Sequence, residues 1–536
     1  MSRRPTAAVV ALCTGVALAV PALVSTTAAS AAPPVAAAGS CPAPAQLEFA
    51  EPTYVDTARA GGEPLVFTDP SGRLMYSSHA GSTHFYTPQA ANPGSSAFVE
   101  NYQGQTYIWT SDDDGKTWEF RPRILPTQGV ANSGFSDPEF AFDAAGNLFF
   151  SEINLANIAF SASSDKGSTW TLQNVAGAVL TDRQWMEADR ENELYFVANA
   201  FGGGTGVPPG SNLGHFIAKS TDGGKTFTTG VPDPGGLGDI RVDKRTGTVY
   251  EANYAGNVLG VKAFRNARDG DLTGEVGVVA EGVNLVSSFA AIDLDPKGNV
   301  YITWDELREG DREPGIWFAS SKDGARTFSD PVRVDDGTGT AIWPWIAVGD
   351  EGRAAIAWLQ ADTQLPENDA ETPGDHGWYI AVGATTTGLG CAGGRAPSFT
   401  QDLATVEPVH RGTICQSGTT CQGTLTDRRL GDYISLDIDS KGFAYVGYAD
   451  TRVPAAVSLP GFVRQSGGPS MLAPKSAPGR TPTATTGRPA AAVAPGSTPQ
   501  PVGGQLPATG ATALLPWSGA LVLLGLGLAL RRRRAA

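Results

Sequence analysis

The stretches SDDDGKTW (111–118), SSDKGSTW (163–170) and STDGGKTF (220–227) share the pattern S-x-D-x-G-x-T followed by Trp or Phe. A fourth stretch, SKDGARTF (321–328), has Ala325 where the glycine is expected. An aspartate in this position accepts backbone N–H bonds across a tight turn, and glycine allows the positive φ that such a turn uses. The sequence therefore predicts four related turns, with a looser turn at Ala325.

A second repeat accompanies these turns. It consists of an apolar strand, a turn containing Asp, and a second apolar or aromatic strand, and alternation on both sides of an Asp/Gly turn is typical of a β-hairpin. Helical periodicity is nearly absent. The seven copies are FTDPSGRLMY (67–76), FAFDAAGNLFF (140–150), EADRENELYF (187–196), IRVDKRTGTVY (240–250), IDLDPKGNVYITW (292–304), IAVGDEGRAAIAW (346–358) and LDIDSKGFAYVGY (436–448).

The S-x-D pattern resembles the Asp boxes of sialidase-like β-propellers, and the resemblance covers roughly residues 50–452. It implies an all-β propeller of four-stranded blades, which we expect over residues 41–463. Seven hairpins favour seven blades; six are common in that family, and residues 359–431 could instead hold an irregular insertion. The resemblance also places the box residues at the outer end of the blades, in structural roles: Asp113, Gly115, Trp118, Asp165, Gly167, Trp170, Asp222, Gly224, Phe227, Asp323 and Phe328.

The ligand face of a propeller is built by residues that lead into the first strand of each blade and residues that leave the second strand. Carboxylates, arginines and aromatic rings at these positions could hold sugar hydroxyls, bind a carboxylate and stack on a sugar ring. The alternative is structural, since Asp and Arg at repeated positions can simply join neighbouring blades. The candidates are Asp137, Glu139, Asp182, Arg183, Trp185, Asp239, Arg241, Glu251, Tyr254, Asp305, Arg308, Trp343, Asp432, Tyr433, Asp450 and Arg452.

The resemblance implies two functions. The first is a sialidase-like enzyme that recognises or hydrolyses glycans, and the second is a non-catalytic adhesin or carbohydrate- or protein-binding module. Sialidases use three arginines, a Tyr–Glu pair, an acid/base Asp and an Arg-Ile-Pro motif. This chain has no Arg-Ile-Pro motif, and the most similar stretch is RPRILP (121–126). Convergence of Arg241, Arg308 and Arg452 beside Tyr254 would favour the sialidase. Hydrolysis of another glycan needs only two suitably placed carboxylates.

The charge and cysteine content limit the partners. The formal net charge is −15, which argues against nucleic acid, because phosphate binding needs clustered Lys and Arg. The Gly-rich stretch 202–206 lacks the Lys-Ser/Thr of a phosphate loop, and no cofactor is expected. Cys415 with Cys421, and Cys41 with Cys391, are the preferred disulfides, although the other two pairings remain open. No CxxC pair is present and histidines are few, so no metal site is expected.

The N-terminus predicts export. Arg3 and Arg4 precede an apolar stretch over residues 7–24 and an A-x-A site, the arrangement of a secretory signal peptide. We expect the signal to span residues 1–31, with cleavage after Ala31, or alternatively after Ala38.

The C-terminus predicts attachment to a cell wall. Residues 464–505 are rich in Pro, Ala and Thr, as in a disordered spacer. An LPATG pentapeptide (Leu506, Pro507, Ala508, Thr509 and Gly510) precedes the apolar stretch 511–530 and Arg531–Arg534. The apolar stretch is long enough for one membrane helix, and the arginines favour the cytoplasmic side. This order resembles the LPxTG surface proteins of Gram-positive bacteria and implies that a sortase cuts after Thr509 and joins it to a cell-wall precursor. The alternative is an ordinary single-span anchor.

Overall fold

The fold was obtained as a computed structural model, which describes residues 39–79, 106–121, 136–153, 158–176, 181–200, 214–287, 290–307, 313–416, 426–452 and 458–474. The predicted signal peptide, the predicted sorting signal with its apolar stretch, Arg308 and Cys421 lie outside these residues, as does most of the predicted spacer. Among the described residues, no helix is long and apolar enough to cross a membrane.

The described chain is all-β and forms seven sheets that we number as blades 1 to 7, which confirms the predicted seven-bladed propeller. Blade 1 contains β3 (Leu65–Thr68), β4 (Leu74–Ser78), β5 (Tyr107–Ser111) and β6 (Glu119–Phe120). Blade 2 contains β7 (Ser136–Phe142), β8 (Leu148–Ile153), β9 (Ile158–Ser163) and β10 (Thr171–Ala176). Blade 3 contains β11 (Thr181–Ala188), β12 (Leu194–Ala200), β13 (Gly214–Ser220) and β14 (Val231–Pro232).

The second half of the ring follows the same order. Blade 4 contains β15 (Gly236–Asp243), β16 (Thr248–Ala255), β17 (Val258–Phe264) and β18 (Glu275–Glu281). Blade 5 contains β19 (Ala291–Leu294), β20 (Val300–Glu306), β21 (Gly315–Ser321) and β22 (Val332–Arg333). Blade 6 contains β23 (Ala341–Val348), β24 (Ala354–Ala361), β25 (Gly377–Thr385), β26 (Thr400–Leu403) and β27 (His410–Arg411). The described part of residues 359–431 therefore belongs largely to blade 6. Two short 3-10 helices span Ala267–Asp269 and Pro366–Asn368.

Blade 7 closes the ring by combining the two ends of the described chain. It contains β28 (Ser435–Ile438), β29 (Ala444–Asp450) and β30 (Leu459–Gly467), and the N-terminal strands β1 (Glu48–Phe49) and β2 (Thr53–Tyr54) pair with β30. A disulfide joins Cys41 to Cys391, and Cys415 is also disulfide-bonded. The compact unit extends past residue 463 to Pro474, and the Met471 side chain is fully buried.

The first strands of the blades lie inside the ring, where those of neighbouring blades contact one another. Apolar and aromatic side chains of the first three strands fill the space between sheets, and Trp304, Trp358 and Trp378 are fully buried there. Burial of such rings is a large apolar contribution to stability. The predicted strand alternation thus supplies the core between blades.

The four S-x-D turns join the third and fourth strands of blades 1, 2, 3 and 5. In the first, Asp113 accepts hydrogen bonds from Thr117 N (2.9 Å) and Thr117 Oγ1 (2.7 Å). In the fourth, Asp323 accepts from Thr327 N (3.0 Å) and Thr327 Oγ1 (2.6 Å), and Ala325 adopts a φ of +61°. The expected looser turn at Ala325 is therefore wrong, because the alanine takes the left-handed conformation and the same bonds form.

The aromatic residues that follow these turns pack against neighbouring strands. The ring of Trp118 lies 5.1 Å from that of Phe462 in blade 7, and the ring of Phe227 lies 4.5 Å from that of Phe160 in blade 2. In these four blades the S-x-D turn lies at the same end as the turn of the first hairpin. The second and third strands lie between the two turns, and because they run antiparallel they bring the chain back to the end that it left. The opposite end is left for the residues that lead into the first strands.

Candidate functional site

A left-handed residue recurs where the first strands begin. Asp137, Arg183, Asp239 and Trp343 have φ values of +47°, +57°, +41° and +58°, and each lies in a register shift at the start of its blade. Glu63, just before β3, has a φ of +47°. This conformation costs a non-glycine residue about 1–2 kcal/mol, and such strain concentrates at functional sites.

Three of these residues contribute to a polar group that we call the rim cluster, made of Glu63, His79, Asp137, Arg183, Arg428 and Asp432. His79 Nε2 contacts Glu63 Oε2 and lies 3.8 Å from Asp137 Oδ1. Arg183 and Arg428 both pair with Asp432, and Arg428 Nη2 lies 3.8 Å from Glu63 Oε1. Glu63 and His79 are each 1 % exposed. Blades 1, 2, 3 and 7 thus bring three carboxylates, an imidazole and two guanidinium groups together.

The pKa values of the rim carboxyls are driven in opposite directions. Burial, with the nearby charge of Asp137, raises the pKa of Glu63 to about 8. Burial also acts to raise the pKa of Asp137, but the hydrogen bond from His79 and the charge of Arg183 hold it well below its ordinary value. Despite burial, Glu63 and Asp137 raise the pKa of His79 to about 9. The Glu63–His79 contact therefore keeps a proton at neutral pH while Asp137 is ionised, a separation typical of acid–base sites.

The two described arginines of the predicted group, Arg241 and Arg452, do not meet beside Tyr254. Arg241 pairs with Asp239 (2.6 Å) and Asp293 (3.4 Å), whereas Arg452 pairs with Asp450 (2.6 Å) in blade 7. The Tyr254 hydroxyl donates a hydrogen bond to Val283 O (2.8 Å). Arg241 and Arg452 are thus tied to separate carboxylates, and Arg308, the third predicted arginine, lies outside the described residues.

Two predicted aromatic residues, Trp185 and Tyr433, pack inside the ring together with Trp345. Trp185, Trp345 and Tyr433 come from blades 3, 6 and 7, and their ring centroids lie 5.3–5.9 Å apart. Each is at most 4 % exposed. Trp343 donates its indole N–H to Gln416 Oε1 (3.3 Å). These rings fill the middle of the propeller rather than offer a face for a sugar.

Several predicted acids join neighbouring blades. Asp239 accepts a hydrogen bond from Ile292 N (2.5 Å) in blade 5, and Asp305 accepts from Trp343 N (2.8 Å) in blade 6. Asp182 lies in β11, opposite Asn199. The contacts of Asp239 and Asp305 match the structural alternative for such residues.

Glu139 belongs to an acidic environment around Arg241. Burial raises the pKa of Glu139 well above its ordinary value, although the charge of Arg241 opposes this shift. Glu187 lies 3.9 Å from Arg241. A cavity of about 600 Å³ next to this group is lined by Glu187, Arg241, Lys244, Asp293 and Ile438 among others.

Glu251 belongs to a second polar group, which we call the blade 3/4 triad: His215, Asp233 and Glu251. His215 Nε2 lies 2.5 Å from Glu251 Oε1, and Lys262 pairs with Asp233. Burial raises the pKa of Glu251 to about 7 and that of Asp233 to about 8, and it lowers the pKa of His215 to about 4. Two groups among the described residues bring potential metal-ligand atoms within 4.8 Å of one another, this triad and Glu63–His79–Asp137.

Sequence reasoning missed Glu63, His79 and Arg428 in the rim cluster, and Asp233 and His215 in the triad. Two of these residues, Glu63 and His79, could have been found from their positions in the sequence. Glu63-Pro64 occupies the same place before a first strand as Asp137-Pro138 and Trp343-Pro344, and His79 directly follows a second strand. Arg428, Asp233 and His215 are brought in by the folding of separate segments.

Comparison with known proteins identifies no family. No family model matches the chain, and no curated protein matches it. A protein of unknown function from Dyadobacter fermentans is 12 % identical, with a TM-score of 0.40 over 78 % of this chain and 99 % of that one. The α-L-arabinofuranosidase Arb93A of Fusarium graminearum is 14 % identical, with a TM-score of 0.38 over 78 % and 97 %. The intramolecular trans-sialidase of Ruminococcus gnavus is 13 % identical, with a TM-score of 0.36 over 77 % and 96 %. At these values the likeness carries no argument about activity.

Proposed function

We propose that this chain is an exported glycan-acting β-propeller that hydrolyses neutral glycosides, with the rim cluster as its reaction centre. The observation that supports this most is the buried Glu63 and Asp137 pair, whose pKa values are driven apart at the strand ends where a propeller binds ligands. Glycoside hydrolysis needs one protonated and one ionised carboxyl group at neutral pH. The rim cluster has both.

In this proposal Glu63 donates the proton to the leaving glycosidic oxygen. The Asp137 carboxylate stabilises the positive charge that develops on the sugar ring. A water molecule then forms the new bond to the sugar carbon and gives up a proton, which returns to Glu63 through His79. General acid catalysis of this kind contributes about 10²–10⁴-fold to a rate.

The pairing of the arginines favours a neutral substrate. Asp432 occupies both Arg183 and Arg428, and Arg241 and Arg452 each have their own carboxylate partner. An acidic sugar would have to displace one of these carboxylates. Exo-sialidase activity is therefore the less favoured form of the proposal.

A panel of fluorogenic neutral hexosides, pentosides and sialosides tests the activity. We expect a neutral glycoside to be cleaved, and Glu63→Gln and Asp137→Asn each to lower kcat by about 10²-fold or more, as expected for loss of acid–base groups. Asp165→Asn, at the far turn of blade 2, is the matched control and should keep the activity. Full activity in both rim variants would exclude the rim cluster as the reaction centre.

A non-catalytic binding module is the second candidate. It is favoured by the low exposure of Glu63 and His79 and by the paired state of the arginines. Binding on a glycan array with no turnover of any glycoside in the panel would select this candidate.

We also propose that the protein is displayed on a Gram-positive-type cell wall. The support is the order of LPATG, apolar stretch and arginines over residues 506–534. In a host with a sortase, wall-degrading enzymes should release the wild-type chain, whereas Thr509→Ala should leave it in the membrane fraction. If both the wild-type chain and Thr509→Ala stay in the membrane fraction, an ordinary membrane anchor is favoured.

A further inference from the structure

The blade 3/4 triad draws its side chains from two strands and a connecting segment. His215 lies at the start of β13, Asp233 directly follows β14, and Glu251 lies in β16. Asp233 N donates to His215 O (2.8 Å), which fixes these two residues relative to each other. Gly236 lies against the triad, and a Cβ atom there would be 2.2 Å from His215 Cδ2 and 2.7 Å from Glu251 Oε1. The chain thus holds the triad tightly and excludes a side chain at Gly236.

The orientation of His215 directs a ring nitrogen at Glu251. His215 Nδ1 lies 2.9 Å from Asn199 Oδ1, and in the tautomer that donates an Nδ1–H to this oxygen, Nε2 is an acceptor. That acceptor lies 2.5 Å from the carboxylate oxygen Glu251 Oε1. In that tautomer two acceptors face each other, so either a proton on Glu251 or a bound cation must lie between them.

Two carboxylate oxygens of the triad also have no hydrogen-bond donor outside the triad. Glu251 Oε2 and Asp233 Oδ2 are buried and accept no hydrogen bond from a residue outside the triad, so these two oxygens bond only to each other, through a shared proton. Their residues are 0 % and 1 % exposed. Without that proton each would be a buried polar atom lacking a partner, which costs about 1–3 kcal/mol. A bound cation would remove this cost.

We propose that His215, Asp233 and Glu251 bind one divalent transition-metal ion of the Zn²⁺ class. One imidazole nitrogen and two carboxylate oxygens form a ligand set that such ions accept. The contact between His215 Nδ1 and Asn199 orients the ring in the way that outer-sphere partners of metal-binding histidines do. This site is separate from the rim cluster, and its occupancy does not depend on the proposed hydrolase activity.

The surrounding charges distinguish the triad from the rim group Glu63–His79–Asp137. Two guanidinium groups pair with the rim carboxylate Asp432, and Arg428 also approaches Glu63. In the triad, Lys262 contacts only Asp233 Oδ1, so Glu251 and the second oxygen of Asp233 remain available. Lys262 therefore competes with a metal for one ligand of three.

The proposal is tested by measuring Zn²⁺ binding to the full chain, from which a chelator has first removed any bound metal. Isothermal titration should show one Zn²⁺ per chain, and the melting temperature should rise with Zn²⁺. Glu251→Gln should weaken binding at least as much as loss of an outer-sphere partner does, about tenfold or more. His376→Ala, which removes a buried histidine outside the triad, is the control and should bind Zn²⁺ like the wild type.

Lys262→Met separates a metal site from a purely structural network. It should tighten Zn²⁺ binding, because Asp233 loses its competing cation. Addition of Zn²⁺ should also shift the ¹⁵N resonance of His215 Nε2 in the wild type, a readout that needs no variant to fold. Absence of this shift, or Zn²⁺ affinity unchanged by Glu251→Gln, would overturn the proposal and leave the triad as a proton-sharing network.

Discussion

Glu63 and His79 make the stability of the folded chain depend on pH. The pKa of Glu63 is raised from its ordinary 4.5 to about 8, and that of His79 from 6.5 to about 9. The folded chain therefore binds more protons than the unfolded chain between about pH 5 and pH 9, and its free energy of unfolding should fall as pH rises through this window. We expect a loss on the order of 1–3 kcal/mol between about pH 6 and pH 9, measured by urea denaturation.

Glu63→Gln should flatten this profile because it removes one titrating group and the partner that raises the pKa of His79. Glu407→Gln, an exposed carboxyl in blade 6, should leave the profile unchanged. Asp137 and Asp432 have lowered pKa values, so their contribution is lost only in acid, outside the window. A profile in Glu63→Gln as steep as that of the wild type would show that the proton is held elsewhere.

At the residue scale the sequence was only a partial guide. Asp137, Arg183 and Asp432 could be predicted because blade repetition places them before first strands. Arg428 could not, since it enters the rim cluster through a segment of irregular structure, four residues ahead of Asp432. The sequence allowed Arg241 and Arg452 either to pair with carboxylates or to bind a ligand, and it could not decide between these roles, because the choice depends on side-chain distances that periodicity does not encode.

The S-x-D turns allow a prediction at the scale of the element. Gly115 and Gly224 have φ values of +80° and +79°. A Cβ atom on Gly115 would lie 2.3 Å from the Phe462 ring, whereas one on Gly224 would lie 3.3 Å from Leu194 Cδ1. Gly224→Ala should therefore cost only the left-handed strain, about 1–2 kcal/mol. Gly115→Ala should cost that and about 1–3 kcal/mol more from overpacking.

Thermal or chemical unfolding of the two variants checks this order. Both lie far from the rim cluster, at the turn end of their blades, so neither should alter ligand binding by the folded chain. Ala325 is the natural precedent, because it adopts a φ of +61° in an otherwise equivalent turn. Equal destabilisation by Gly115→Ala and Gly224→Ala would mean that Phe462 moves aside without cost.

The strands were largely predictable because both faces of each hairpin are set by local alternation and by an Asp turn. The expected looseness at Ala325 was wrong for a reason at this scale: the hydrogen bonds of the aspartate and serine outweigh the modest strain of one alanine. Blade 6 was harder to predict, since its fourth position is filled by two short strands, β26 and β27, that carry no repeat.

Closure of the ring is a property of the whole molecule. The strands β1 and β2 complete blade 7 by pairing with β30, and the Cys41–Cys391 disulfide ties this N-terminal segment to blade 6 across 350 residues of sequence. Cys41 N also donates to Ala396 O (2.8 Å). When the N-terminal segment detaches, β30 loses its pairing with β1 and β2 and becomes an uncovered edge of the ring, so the disulfide should act on the stability of the ring as a whole.

Removal of this disulfide gives the corresponding prediction. In the chain-entropy account, a crosslink that closes so long a loop stabilises by up to about 5 kcal/mol, and its loss should lower the melting temperature by several degrees. The double variant Cys41→Ser/Cys391→Ser, compared with the wild type by calorimetry under oxidising conditions, measures the effect. Reductant should then lower the wild-type melting temperature further than that of the variant, whose residual shift reports the bond of Cys415. If the variant melts like the oxidised wild type, the pairing of β1 and β2 with β30 closes the ring without covalent help.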